Sequence, residues 1–232
     1  MQPESPMMAP GRAAITPALA QNRVLRNTYF LLAISMVPTI LGAWLGVQFK
    51  FNLFGAHPAI GFVAFLGIAF GFFYGIEKTK NSGWGVALLL GFTFFMGLML
   101  SRLLGFVLGY SNGVSLIALA FGGTSAVFAT MATLAGTIKR DLAPMGKFLF
   151  IGVVMLLLAA FANIFLQIPA LMIAISLVAI AIFSALMLYD INRVITGGET
   201  NYISATLAIY LDAYNVFANL LALLGITGGS SD

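Results

Sequence analysis

The chain contains no cysteine and a single histidine, His57, among its 232 residues. Without cysteine, neither a disulfide nor a cysteine-based metal or redox centre can form. Charged side chains are also scarce, at 8% of the residues against about 25% in typical soluble domains. Hydrophobic residues account for 61% of the chain. This composition excludes an ordinary soluble domain and indicates a membrane protein that lies in a lipid bilayer.

Seven apolar stretches are long enough to cross about 30 Å of hydrocarbon as helices. They cover residues 29–49, 59–76, 84–107, 114–138, 145–167, 171–195 and 202–226. The chain lacks the alternating segments of about ten residues that are typical of an outer-membrane barrel. The predicted fold class is therefore an all-α membrane protein, with a seven-helix transmembrane domain over residues 23–232. Residues 1–22 contain four prolines and are predicted to form a disordered cytoplasmic tail.

The Lys and Arg residues are divided unequally between alternate loops. Nine lie on one side: Arg12, Arg23, Arg26, Lys78, Lys80, Lys139, Arg140, Lys147 and Arg193. The other side has Lys50, with Arg102 near its membrane edge. Basic loops stay in the cytoplasm, so the N-terminus is predicted to be cytoplasmic and the C-terminus to lie outside. Topology explains these basic residues, and no nucleic-acid partner is predicted from the net charge of +4.

Two aspartates, Asp190 and Asp212, lie inside long apolar runs near the C-terminus. A carboxylate at the centre of a transmembrane helix costs roughly 2.5–3.5 kcal/mol on insertion scales. Such residues usually face the interior of a bundle, a water-filled path or a partner. The two acids are therefore the predicted functional site.

The turn between the last two spans centres on Gly197 and Gly198. In an antiparallel hairpin, the offsets along the chain place the two carboxyl groups ~10 and ~16 Å from the turn, close enough to share a site. Asn215 and Asn219 follow Asp212 at i+3 and i+7, on one face of the helix. Arg193, at i+3 from Asp190, is the candidate cationic partner.

Two carboxyl groups held together in a low dielectric cannot both ionise freely, so the pair is expected to keep a proton. The pair would then act as a proton switch, and Asp190 and Asp212 could make transient contacts with calcium. The alternative is a hydrogen-bonded pair that only holds two helices together. No resident cofactor is predicted, because the sequence shows no phosphate loop and no metal-binding constellation.

Intramembrane aspartyl proteases also use two aspartates on neighbouring spans, so an enzyme must be considered. Here the second acid occurs in Tyr210-Leu211-Asp212 and not in a Gly-x-Gly-Asp context. The Pro169-Ala170-Leu171 sequence also precedes both acids instead of following them. The sequence therefore predicts that the protein is not an enzyme.

Small residues recur on two spans, with Gly67, Gly71 and Gly75 on the second and Gly122, Ser125, Ala126 and Ala129 on the fourth. Small residues let the backbones of membrane helices approach closely. These faces are predicted to pack inside the bundle, and a dimer interface is the alternative.

The C-terminal block LMLYDINRVITGGETNYISATLAIYLDAYNVFANLLALLG, residues 186–225, resembles the signature region of the Bax inhibitor-1 family. Residues 24–33, 139–149 and 162–171 extend the resemblance, which is greatest to the bacterial branch of FtsH-protease modulators. It implies a seven-helix fold with the C-terminal helix central and surrounded by the other six. It also implies a bacterial inner-membrane location.

The resemblance further implies a function. Members of the family act as pH-dependent calcium leaks in which an acidic pair on the last two helices senses protons, and that pair falls on Asp190 and Asp212. The first hypothesis is a proton-sensitive calcium or cation leak, with Asn215 and Asn219 along the path. The alternative is a non-transporting regulator that binds and modulates the membrane AAA protease FtsH through its N-terminal tail and helix faces.

Overall fold

The computed structural model describes residues 17–53, 55, 57–138, 140 and 142–229. Within these ranges the chain forms seven α-helices and no strand. They are α1 (Pro17–Gln48), α2 (Pro58–Thr79), α3 (Gly83–Leu108), α4 (Gly113–Thr137), α5 (Ala143–Leu166), α6 (Pro169–Thr196) and α7 (Tyr202–Gly228). All seven are long and apolar enough to cross a membrane. The prediction of an all-α protein with seven transmembrane helices is confirmed.

Helix α1 begins at Pro17, inside the segment that the sequence assigned to the tail. Proline is favoured at the first helical position, because its missing N–H would have no partner there and its φ angle already suits a helix. Residues 17–22 are thus helical and lead into the first candidate membrane span, Gln21–Gln48. The division of the chain into a tail and a transmembrane domain stays a prediction. The remainder of the predicted tail, residues 1–16, lies outside the described residues.

Local backbone chemistry sets the ends of the last two helices. Helix α6 ends at Thr196 and is followed by Gly197, which has a left-handed φ of 82°. Glycine adopts this conformation without the steric cost that a Cβ atom would add. The Asn201 side chain then accepts hydrogen bonds from the backbone N–H groups of Ile203 and Ser204 at the start of α7. The resulting short turn makes α6 and α7 an antiparallel pair, as predicted.

Helices α1 and α3 approach most closely at three glycines. A Cβ atom on Gly97 would overlap the carbonyl oxygen of Thr39, and one on Gly42 would overlap that of Phe94. A Cβ atom on Gly46 would lie 2.5 Å from the Cβ of Ser101. Close backbone approach of this kind supplies the van der Waals packing that holds membrane helices together.

The small-residue faces predicted from sequence behave differently. A Cβ atom on Gly67, Gly71 or Gly122 would meet nothing within 4 Å, apart from neighbouring turns of its own helix. Gly75 alone has a close neighbour, since its Cβ would lie 3.2 Å from a Leu88 methyl group. The three other members of the predicted face on α4 are exposed: Ser125, Ala126 and Ala129. The prediction that these faces pack inside the bundle is therefore wrong for most of their length.

Helix α7 packs against α1, α2, α3, α4 and α6. Helix α5 lies outside this group, against α6 and α2, and none of its residues is buried. A ring of six helices around α7 is thus wrong at α5, and the central position of α7 in the bundle stays a prediction. The arrangement places one face of α7 against α6 and another against α1 and α3.

Candidate functional site: the aspartate pair of α6 and α7

Asp190 on α6 and Asp212 on α7 lie next to each other in the interface between the two helices. The Asp212 residue is 3% exposed, and the Asp190 side chain is 13% exposed. Their carboxyl groups are close enough to form a side-chain hydrogen bond and to interact electrostatically. One carboxyl group can donate to another only when it carries a proton. The structure thus brings the two predicted residues together, and their role as proton sensors stays a prediction.

One oxygen of the pair lacks a hydrogen bond. The Oδ2 atom of Asp212 is buried and has no partner among the described residues. An unsatisfied buried polar atom costs about 1–3 kcal/mol, and more when it is charged. A bound proton, a cation or a water molecule would relieve this cost.

Arg193 lies between two acidic side chains. Its Nη1 atom is 3.5 Å from Oδ1 of Asp190, as the i+3 spacing predicted. Its Nη2 atom is 3.7 Å from Oε2 of Glu199, in the turn after α6. The guanidinium carbon lies 5.6 Å from the centre of the Tyr189 ring. Sequence reasoning missed Glu199, although its position just after the Gly197-Gly198 turn was a usable signal.

Asn215 and Asn219 are half-buried and bonded to their own helix. Asn215 donates from Nδ2 to the carbonyl of Leu211 at 2.8 Å, and Asn219 donates to the carbonyl of Asn215 at 2.8 Å. Neither bond reaches another helix or the aspartate pair. Their role along an ion path stays a prediction.

The turn between α6 and α7 is tied to a neighbouring loop by Asn201. Its Nδ2 atom donates to the carbonyl of Lys80 at 3.0 Å and to Oδ1 of Asn81 at 2.9 Å. On the opposite side, a Cβ atom on Gly197 would lie 2.6 Å from Nε2 of Gln21, so the beginning of α1 packs against the turn. These contacts were not predicted, because they join residues far apart in the sequence.

A second polar group fixes α7 to α1 and α3. The hydroxyl groups of Tyr210 and Thr39 are hydrogen-bonded at 2.8 Å, and Tyr210 also donates to the carbonyl of Thr93 at 3.4 Å. One turn further on, Tyr214 donates to the carbonyl of Met96 at 3.1 Å. The i, i+4 spacing of the two tyrosines was a signal that sequence reasoning did not use. These bonds hold one side of α7 while its other side carries Asp212.

A crevice of about 210 Å³ lies between α2 and α7. Its walls are Phe73, Ile76 and Glu77 from α2 and Ser204, Leu207, Ala208 and Leu211 from α7. Most of these side chains are apolar, so the crevice suits a hydrocarbon chain better than a hydrated ion. No group of three or more His, Cys, Asp or Glu side chains that could hold a metal ion lies within the described ranges.

The fold and the site define an integral α-helical membrane protein with a buried carboxyl pair. A family model described as "Inhibitor of apoptosis-promoting Bax1" matches residues 21–229, so the chain belongs to the Bax inhibitor-1 family. The family membership inferred from the C-terminal block is thereby confirmed. This family, together with the relatives described next, points to a non-enzymatic membrane protein.

The chain is similar to several bacterial proteins over most of its length. It is 37% identical over 210 residues to "Modulator of FtsH protease YccA" of Escherichia coli K12. The aligned region covers 90% of this chain and 93% of that protein. It is 38% identical over 208 residues to an uncharacterized protein of Neisseria meningitidis serogroup A, covering 89% and 92%. It is 36% identical over 214 residues to an uncharacterized membrane protein of Vibrio cholerae, covering 92% and 94%.

Proposed function

We propose that this protein is a proton-sensitive cation leak of the bacterial inner membrane, with calcium as the ion and Asp190 and Asp212 as the gate. The observation that carries this proposal is the buried carboxyl pair, in which Oδ2 of Asp212 has no hydrogen-bond partner among the described residues. The location follows the name "Inner membrane protein YccA" of another E. coli relative, which is 37% identical. The N-terminus is cytoplasmic and the C-terminus lies outside, as the count of basic residues in the loops predicts.

A shared proton would keep α6 and α7 together through the hydrogen bond between the two carboxyl groups. Loss of that proton leaves two negative charges side by side, and such charges about 4 Å apart repel by about 4 kcal/mol at an effective dielectric near 20. Tyr210 and Tyr214 hold α7 to α1 and α3. We therefore expect the repulsion to move α6 relative to α7 near their shared turn, and a cation can compensate the charge that is exposed.

The test is calcium flux into proteoliposomes from about pH 5 to pH 8, a range that brackets the titration of such pairs. Asp190→Asn and Asp212→Asn keep the size and hydrogen bonding of each side chain but cannot titrate. We expect each variant to abolish the pH dependence of flux and not merely to scale the flux. Glu77→Gln removes a different acid, 63% exposed, and is the matched control. A parent-like pH profile in both Asn variants would contradict the proposal.

A second candidate function is regulation of the membrane protease FtsH without transport. The observation that favours it is the name of the E. coli relative, a modulator of FtsH, together with its similarity over 90% of this chain. In this case FtsH would engage the N-terminal segment that precedes α1. The two functions are compatible, because the first depends on the acids and the second on the N-terminal segment.

A further inference from the structure

Charged side chains of alternating sign extend from the end of α2 to the aspartate pair. Glu77 and Lys80 form an ion pair, and Lys80 also interacts electrostatically with Glu199. Glu199 faces Arg193, which in turn faces Asp190. Successive members of this series are thus acid, base, acid, base and acid, and Asp212 is its buried end. Arg193 is the member that reaches both the turn and the pair.

Arg193 forms a short hydrogen bond with neither acid. Its nitrogen atoms lie 3.5 Å from Asp190 and 3.7 Å from Glu199, longer than the 2.7–2.9 Å of a charge-assisted hydrogen bond. Glu199 is the more firmly held of the two acids. Its Oε1 atom accepts from the backbone N–H of Asn201 at 2.8 Å, and its own N–H donates to the carbonyl of Arg193 at 3.0 Å. The turn therefore presents the second oxygen of Glu199 to Arg193.

We propose that Glu199 is a positioning residue for the aspartate pair: it competes with Asp190 for Arg193 and so sets the pH at which the pair responds. This inference rests on the shared proton proposed above. When Arg193 turns to Glu199, the ionised form of Asp190 loses its cation and the pair keeps its proton more firmly. When Arg193 turns to Asp190, the ionised form is stabilised.

Other charged groups lie on the elements that neighbour the aspartate pair. Asp190 interacts with Arg193, Glu199 and Asp212, while Asp212 interacts with Asp190. The basic residues on the other elements around α6 are exposed: Arg23 and Arg26 on α1, Arg140 before α5, and Lys147 on α5. Lys80, near the end of α2, is paired with Glu77. Within the described part of the chain, Arg193 is thus the cation placed to act on the pair.

The charge changes have opposite expected effects. Glu199→Gln removes the competing negative charge, so Arg193 can turn fully to Asp190 and the pair should lose its proton at lower pH. The amide oxygen of glutamine can still accept from the N–H of Asn201, so the turn is preserved. Arg193→Gln removes the cation, and the pair should then lose its proton at higher pH. A single neighbouring charge typically changes such a midpoint by about one pH unit, and less where solvent screens it.

The experiment is infrared difference spectroscopy of the full chain in lipid vesicles, over about pH 5 to 8. The measured signal is the infrared band of the protonated carboxyl group. This band is identified as the one that both Asp190→Asn and Asp212→Asn alter. We expect the midpoint of this band to move to lower pH in Glu199→Gln and to higher pH in Arg193→Gln. Glu199→Asp, which keeps the charge, should lie between the parent and Glu199→Gln. Arg102→Gln removes an exposed cation of α3 that lies outside this series. It is the matched control for Arg193→Gln and should keep the parent midpoint.

A parent midpoint in Glu199→Gln would overturn the inference. A shift of undiminished size when Glu199→Gln is made in an Arg193→Gln background would also overturn it, because Glu199 would then not act through Arg193. Calcium flux measured on the same vesicles separates this inference from the leak. A parent band that titrates without any calcium flux would end the leak proposal, and the opposed midpoint shifts would still support the role of Glu199.

Discussion

At the scale of single residues, the site depends on side chains that interact both with their own helix or turn and with residues elsewhere. Asn201 caps α7 through its side-chain oxygen and reaches the α2–α3 loop through its side-chain nitrogen. Arg193 similarly lies between Asp190 of its own helix and Glu199 of the turn. Because each side chain interacts with two elements, a substitution must remove one interaction and keep the other before the contribution of either can be measured.

Asn201 allows such a separation. Serine at this position keeps a good cap for α7 but cannot reach the Lys80 carbonyl or Asn81, whereas alanine loses both interactions. We expect Asn201→Ser to cost about 1 kcal/mol for the lost hydrogen bonds. Asn201→Ala should cost about 1 kcal/mol more for the lost cap. Thermal unfolding of the three proteins in one detergent measures the difference, and equal midpoints for Ser and Ala would show that the cap contributes nothing.

At the scale of helices, the packing depends on which glycines meet another backbone. The glycines at the α1–α3 interface have no space for a Cβ atom, whereas Gly67 and Gly71 of α2 have open space around them. A pattern of glycines four residues apart therefore marks a face that permits close approach, and the tertiary structure decides whether a partner helix is present.

This difference predicts opposite results for two matched substitutions. Gly97→Ala would force α1 and α3 apart, because the new Cβ would lie 2.9 Å from the backbone N of Ala43 and would overlap the Thr39 carbonyl. We expect a cost of about 1–3 kcal/mol, as for other overpacked sites. Gly67→Ala meets nothing and replaces a poor helix former, so its stability should be unchanged or increased. Detergent unfolding midpoints test both, and a loss in Gly67→Ala as large as in Gly97→Ala would contradict this packing.

At the scale of the whole molecule, the beginning of α1 joins the N-terminal segment to the turn that carries the site. Gln21 packs against Gly197, and the Thr206 hydroxyl group on α7 donates to the Thr28 carbonyl at 3.3 Å. A partner that holds the N-terminal segment would thus act close to the α6–α7 turn. Helix α1 therefore also connects the N-terminal segment to the α6–α7 turn.

Two truncations test this link and the second candidate function. Deletion of residues 1–16 spares α1 and should leave stability and any flux nearly intact, while slowing turnover in cells that contain FtsH. Deletion of residues 1–22 also removes Gln21 and the first turns of α1, so it should lower the unfolding midpoint as well. Unchanged turnover of the shorter truncation would count against engagement through this segment.

The sequence by itself determined the number and approximate position of the helices, because a long apolar run and its flanking turn residues are local properties. It also brought Asp190 and Asp212 together, because the offsets from one short turn set the depth of both acids in an antiparallel pair. It placed Arg193 beside Asp190 for the same reason, since three residues along a helix return to the same face.

Only the tertiary structure decided what lies across from each helix face. The start of α1 extends into the predicted tail, Gly97 and not Gly67 meets another backbone, and α5 lies away from α7. Glu199 and Asn201 enter the site because the α6–α7 turn folds back onto Arg193 and onto the α2–α3 loop. These features depend on how each helix is rotated about its axis and on which element it contacts, and a periodic apolar sequence leaves both open.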